Sequence, residues 1–298
     1  MDRRPLLAVG LAAFLLIGAQ QAVYGPAFAA LQARYGVGVG EVGAIVSAHF
    51  AGGLFGVLAA APLLPRLGYR WLVVAAALTT AGGLSAVASV PTWWAALASA
   101  GGAGVGFGLL VVLLNLAFAR AYGARATAAL NVLNAAFGIG AVLAPVPVGV
   151  LLGRGLGAGA LAPALFGLAA LGVVVAVAAA VTRTWPALPP PRDAAAVPVR
   201  WRLVAAFAVL MGVYVALEAN TAAWAPTHLA LRFEVGQAAL ATSLFWGAAT
   251  VGRFVVATFA SAVAPGALVV GGAVAAVAAL GLAHVGPLGL VAYALVGL

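Results

Sequence analysis

The sequence contains no cysteine and no lysine, and only 6% of its 298 residues are charged. The missing cysteine excludes disulfides, cysteine-ligated metal and thiol catalysis. The missing lysine excludes a phosphate-binding loop of the lysine type. Acids are scarce as well: Asp2, Glu41, Asp193, Glu218 and Glu234 are the complete set. Soluble domains carry about a quarter charged residues, so the composition excludes that class. No metal-ligand spacing and no hydrolase triad occurs, which argues against an enzyme and against any cofactor or metal site.

What the chain has instead is apolar length. It is 66% hydrophobic with a mean hydropathy of +1.19. About 20 apolar residues cross a ~30 Å hydrocarbon core, and such runs recur throughout. We place spans 1 to 6 at Pro5–Leu31, Val42–Leu64, Trp71–Val90, Trp93–Phe118, Ala126–Leu152 and Leu161–Val181. Spans 7 to 9 follow at Leu203–Pro226, Ala238–Ala262 and Gly266–Ala283. The first run is too long for a cleaved secretory core, and further spans follow it. A tenth run, Gly286–Leu298, has 13 residues and reads as the start of a further span. The expected fold is an all-α polytopic membrane protein.

The 14 basic residues are all arginine, and they fall between the apolar runs. Topology explains them better than nucleic acid does. With the N-terminus inside, eleven lie on the cytoplasmic side; Arg34, Arg154 and Arg232 lie outside. The arginine- and alanine-rich usage suggests a bacterial origin, and hence a multi-pass protein of the cytoplasmic (inner) membrane. The run Gly101–Gly108 follows no strand and reads as close helix packing.

Between spans 6 and 7 the proline-rich stretch from Arg183 is linker-like. We divide the chain into a six-span half (1–182), a cytoplasmic linker (183–202) and a second, truncated half (203–298). The halves repeat at an offset of 196 residues: Phe28 pairs with Trp224, Gly40 with Gly236, Ser47 with Ser243, Phe50 with Trp246, and Gly56 with Gly252. Such internal repeats are a transporter signature.

Only Glu218 among the acids lies inside a hydrophobic run, where a charge is costly without a cavity or a partner. It sits eight residues from the outer end of span 7, about 12 Å down. His49, Trp246, Gln20 and Gln21 fall at comparable depth on spans 2, 8 and 1. A polar cavity at that level is expected. Glu218 is the candidate proton site or, on the alternative reading, a structural acid paired with Arg253; His49 is a candidate relay. Gln20, Gln21, Tyr24, Asn220, Trp224 and Trp246 are candidate solute contacts. Asn115, Asn131 and Asn134 form a second layer nearer the cytoplasm, as an inner vestibule or as cross-links between spans 4 and 5.

The segment APLLPRLGYR (61–70) after span 2 resembles the loop signature of the major facilitator superfamily. Arg66, Gly68 and Arg70 match it, whereas Pro65 stands where that pattern has Asp. The resemblance implies two pseudo-symmetric six-helix halves, with helices 10–12 largely missing here. It also implies alternating access and a cytoplasmic gate at Arg66, Gly68, Arg70 and Arg253. NVLNAAFGIGAVLAP (131–145), YVALEANTAAWAPTHL (214–229) and SLFWGAATVGR (243–253) look like its fucose-permease-like sugar:proton symporter branch. That branch implies proton-coupled sugar uptake. Its symporters resemble one another in acids on helices 1 and 4, where this chain has Gln20, Gln21 and Asn115. The pattern at Gly140, Pro145 and Gly149 half-matches a signature similar to that of drug:proton antiporters. The expected function is secondary transport of a small polar solute, a sugar first, with protons as the coupling partner. No obligate protein partner is expected, so the protein reads as a monomer in the bilayer. A drug efflux antiporter and a non-transporting remnant are the alternatives.

Overall fold

Apolar side chains all round leave the backbone no partner in lipid except its own carbonyls, so the spans must be helices. The computed structural model describes residues 3–188, 200–259, 263–284 and 288–298, and all regular structure among them is helical. Helix α1 (Arg4–Tyr35) opens with a proline in its first turn, where no amide is needed, and stops at left-handed Gly36 (φ 67°). The short α2 (Val39–Val42) leads into α3 (Ala44–Ser89), which holds two spans joined at Gly68. Helix α4 (Trp93–Tyr122) is capped by the Thr92 hydroxyl, which accepts from the Ala95 amide at 3.4 Å.

The stretch expected as one span from Ala126 to Leu152 divides into α5 (Ala126–Leu143) and α6 (Pro145–Gly153). Pro145 and Pro147 supply no amide to the preceding turn, which interrupts the ladder at Ala144. Helix α7 (Leu161–Val181) completes the first half. Helices α8 (Trp201–Leu229), α9 (Val235–Phe259), α10 (Pro265–Leu282) and α11 (Gly289–Gly297) form the second. Six helical stretches among the described residues are long and apolar enough to cross a membrane. Two of them, Val39–Ser89 with 51 residues and Trp93–Gly153 with 61, are long enough to cross twice. Arg192 and Asp193 of the linker lie outside the described residues.

Lipid is as apolar as leucine, so close van der Waals contact must hold the helices together. The glycine run of α4 supplies it. A Cβ on Gly104 would land on the His49 carbonyl oxygen of α3, and one on Gly108 on that of Gly53. Helix α1 meets α5 in the same way, with Gly140 against the Leu15 carbonyl.

The 196-residue repeat has a spatial counterpart. Phe28 and its equivalent Trp224 meet edge-on, ring centres 5.0 Å apart. Gly25 packs on the Ala223 backbone, and Gly149 of α6 and Gly236 of α9 pack on each other. Gly56 lies against the α4 backbone, while its equivalent Gly252 lies against that of Leu298 after α11. The contacts between α1 and α8 and between α6 and α9 sit at the end of the molecule remote from Arg66, Arg120 and Arg200. There the halves are closed on each other.

Candidate functional site

At the opposite, arginine-rich end the halves part around a cavity of about 680 Å³. That volume falls within the ~300–1,000 Å³ usual for small-molecule sites. Its wall takes Phe14, Ile17 and Gln21 from α1, Phe50 from α3, Phe107 and Asn115 from α4, and Asn131, Asn134 and Phe137 from α5. The second half adds Glu218 from α8 and Trp246, Thr250 and Arg253 from α9.

Glu218 and Arg253 are the only charged residues among those described in this wall. Arg253 Nη2 donates to Glu218 Oε1 at 3.2 Å, and the Tyr214 hydroxyl donates to the same oxygen at 3.0 Å. The Glu218 side chain is only 13% exposed, whereas that of Arg253 is 45% exposed. The acid is therefore the sheltered member, held by two donors, and the guanidinium faces the open space. Tyr214 lies one helical turn before Glu218, so both project from one face of α8.

Seven of the sequence candidates line this single space: Gln21, Asn115, Asn131, Asn134, Glu218, Trp246 and Arg253. Members of both expected polar layers share this wall, but His49 and Gln20 of the outer layer do not reach it. Trp246 stands edge-on to Phe137 at 5.6 Å, and its buried indole N–H has no hydrogen-bond acceptor among the described residues. Asn115 donates back to the Val111 carbonyl of its own helix at 2.7 Å, so its amide oxygen is the group available to a solute.

The remaining candidates sit elsewhere. Gln20 is fully buried, its amide donating to the Ala103 carbonyl at 3.1 Å. Tyr24 and His49 are buried beside it, ring centres 5.3 Å apart. Asn220 is exposed and donates to Ala216 at 2.8 Å, and Trp224 packs on Phe28 at the closed end. None of these five touches the cavity. Arg66 donates to the Pro62 carbonyl at 2.7 Å, and Arg70 to that of Ala180 while lying over the Trp71 ring at 5.0 Å. These two arginines flank the Gly68 break, whereas Arg253, expected in the same gate, lines the cavity and pairs with Glu218.

The Major Facilitator Superfamily matches residues 10–298. The chain belongs to that superfamily. No curated protein sequence matches the chain. Solved structures show the superfamily fold at low identity. A partially occluded, inward-open form of the xylose transporter XylE from E. coli is 15% identical with a TM-score of 0.73; the match covers 98% of this chain and 83% of that one. A nucleoside transporter, NupG, is 15% identical with a TM-score of 0.72, covering 98% and 79%. A bacterial homologue of the human lysosomal transporter Spinster, inward-facing and unoccupied, is 14% identical with a TM-score of 0.70, covering 100% and 73%. The protein is accordingly a multi-pass membrane protein with the fold of a secondary transporter.

Within this superfamily member, sequence reasoning missed Tyr214, Thr250 and the five phenylalanines of the wall. The four-residue spacing of Tyr214 and Glu218 was the available signal for the first. Phe50 had one in its repeat partner Trp246; the other four phenylalanines carry none, since a phenylalanine facing a cavity and one facing lipid look alike in sequence.

Proposed function

We propose that this protein carries a small, uncharged polar solute, a sugar above all, across the membrane by alternating access. The reading rests on one observation: a cavity that opens between the two halves at the arginine-rich end, with one balanced ion pair among the described residues of its wall. The pair carries no net charge and the described wall is otherwise uncharged, which favours a neutral solute over one that brings a net charge of its own into the cavity. Gln21, Asn115, Asn131, Asn134 and Trp246 offer hydroxyl partners, and the aromatic rings match the apolar face of a sugar. Proton coupling is assigned to Glu218: protonation removes its charge and frees Arg253. With the arginine-rich end cytoplasmic, the cavity faces inward, in a bacterial inner membrane. Uptake of labelled monosaccharides by reconstituted protein tests the assignment; a full panel without uptake would refute it.

A second reading has its own observation. Phe14, Phe50, Phe107, Phe137 and Phe254 give the cavity an aromatic wall suited to lipophilic cations. Proton-driven export of such compounds, blind to sugars, would select it.

A further inference from the structure

The cavity wall changes character with depth. On α4, Asn115 lies five residues before Arg120, near the mouth, and Phe107 lies 13 before it. On α5, Asn131 and Asn134 lie six and nine residues after Arg125, and Phe137 lies 12 after it. All five line the cavity, and Asn131 and Asn134 are exposed. At ~1.5 Å of rise per residue, the amides stand about 5–12 Å nearer the mouth than the rings. A volume of about 680 Å³ suits a drug-sized ligand rather than a single sugar ring.

The deep rings are paired, and the repeat relates the pairs. Phe107 meets Phe50 edge-on at 6.3 Å, and Phe137 meets Trp246 edge-on at 5.6 Å. Phe50 and Trp246 are equivalent positions of the 196-residue repeat, one from each half, and both line the cavity. Parallel repeats are related by an axis along the membrane normal, which places equivalent positions at one depth on opposite sides of it. Each half thus contributes one cavity-lining ring to an aromatic pair at this level. Gln21, 17 residues after Arg4, lies at least as deep along its helix and adds one amide there. Phe14 and Phe254 line the cavity nearer its mouth and belong to neither pair.

We propose that the solute is an aryl glycoside: its flat aromatic aglycone enters between the two ring pairs, and its sugar stays at Asn115, Asn131 and Asn134. A third ring extends either pair through the edge or offset contacts that aromatic rings prefer. The amides supply hydroxyls with both donors and acceptors. Gln21 gives a polar substituent of the aglycone a partner at the deep end. Phe50 and Trp246 are then the residues that select for the aglycone. The inference rests on the transport reading for the sugar and on the ring pairs for the aglycone.

Matched methyl and 4-nitrophenyl glycosides of D-xylose, D-glucose and D-galactose, titrated calorimetrically into the full chain in lipid nanodiscs, test it. The aryl member of at least one pair is expected to bind about tenfold more tightly than its methyl partner, the order of one ring gained against two aromatic pairs. Phe50→Leu is expected to lower that ratio to about threefold or less, with Phe107→Leu as the second variant should the first fail to fold. Equal Kd within every pair that binds overturns the inference and leaves the sugar reading standing. So does a ratio that neither variant lowers. 4-Nitrophenol binding as tightly as its glycosides overturns the division between ring and sugar zones. No binding of any glycoside by folded protein removes the sugar reading and the inference together, whether or not tetraphenylphosphonium binds.

Discussion

Arg253 of α9 reaches Glu218 of α8 at 3.2 Å, and both residues belong to the same half of the molecule. The pair therefore cannot act as a latch between the halves, because rocking one half against the other leaves it intact. What rocking changes, on the transport reading proposed above, is the side of the membrane that the pair faces. On that reading Glu218 is a site reached from each side in turn rather than a gate.

Replacing the acid separates coupling from movement. With one pH unit imposed across the membrane, one-proton coupling supports about tenfold accumulation. Glu218→Gln is expected to reduce that ratio to about one while solute exchange across equal pH continues. Because Arg253 is 45% exposed, the pair contributes at most about 1 kcal/mol to stability, so thermal unfolding should barely change. A large loss of folded protein would mark a structural acid.

Trp246 offers a buried N–H at the cavity wall with no acceptor among the described residues. Trp246→Phe keeps the ring and removes that donor, so KM for the solute is expected to rise about tenfold, the worth of one hydrogen bond at roughly 1–1.5 kcal/mol. The melting temperature is expected to hold. Unchanged KM would place the indole outside the binding surface.

Helix packing gives a paired test. A methyl on Gly104 would fall on the His49 carbonyl, whereas one on Gly102 meets nothing within 4 Å. Gly104→Ala is expected to destabilise by about 1–3 kcal/mol, as overpacking does. Gly102→Ala is expected to stabilise by up to about 1 kcal/mol through helix propensity. Equal melting temperatures in detergent would contradict this close approach of α3 and α4.

The break in α3 is a backbone matter. Gly68 has φ 68° and ψ 168°, a region nearly closed to residues with a Cβ and costing about 1–3 kcal/mol. Gly68→Ala is expected to lower stability by that amount, measured by thermal unfolding. A neutral result would show that the turn relaxes.

The spans were legible because length and hydropathy alone determine them, and the repeat was legible because Phe28 and Trp224 occupy equivalent places. Which face a residue presents was not. Gln20 and Gln21 share a depth yet differ by about 100° around α1; one bonds Ala103 and the other lines the cavity. Asn220, two residues beyond Glu218, points away for the same reason, while Tyr214, four before it, joins the site. Depth follows from counting along one helix, but orientation depends on which neighbours pack against it, and one sequence does not state that.

Proton flux in proteoliposomes carrying an internal pH dye tests the central claim most directly. Monosaccharides are added outside with no imposed gradient. The account predicts interior acidification with at least one sugar, abolished by Glu218→Gln. Acidification that persists in Glu218→Gln, or alkalinisation on adding lipophilic cations with no response to any sugar, would contradict it.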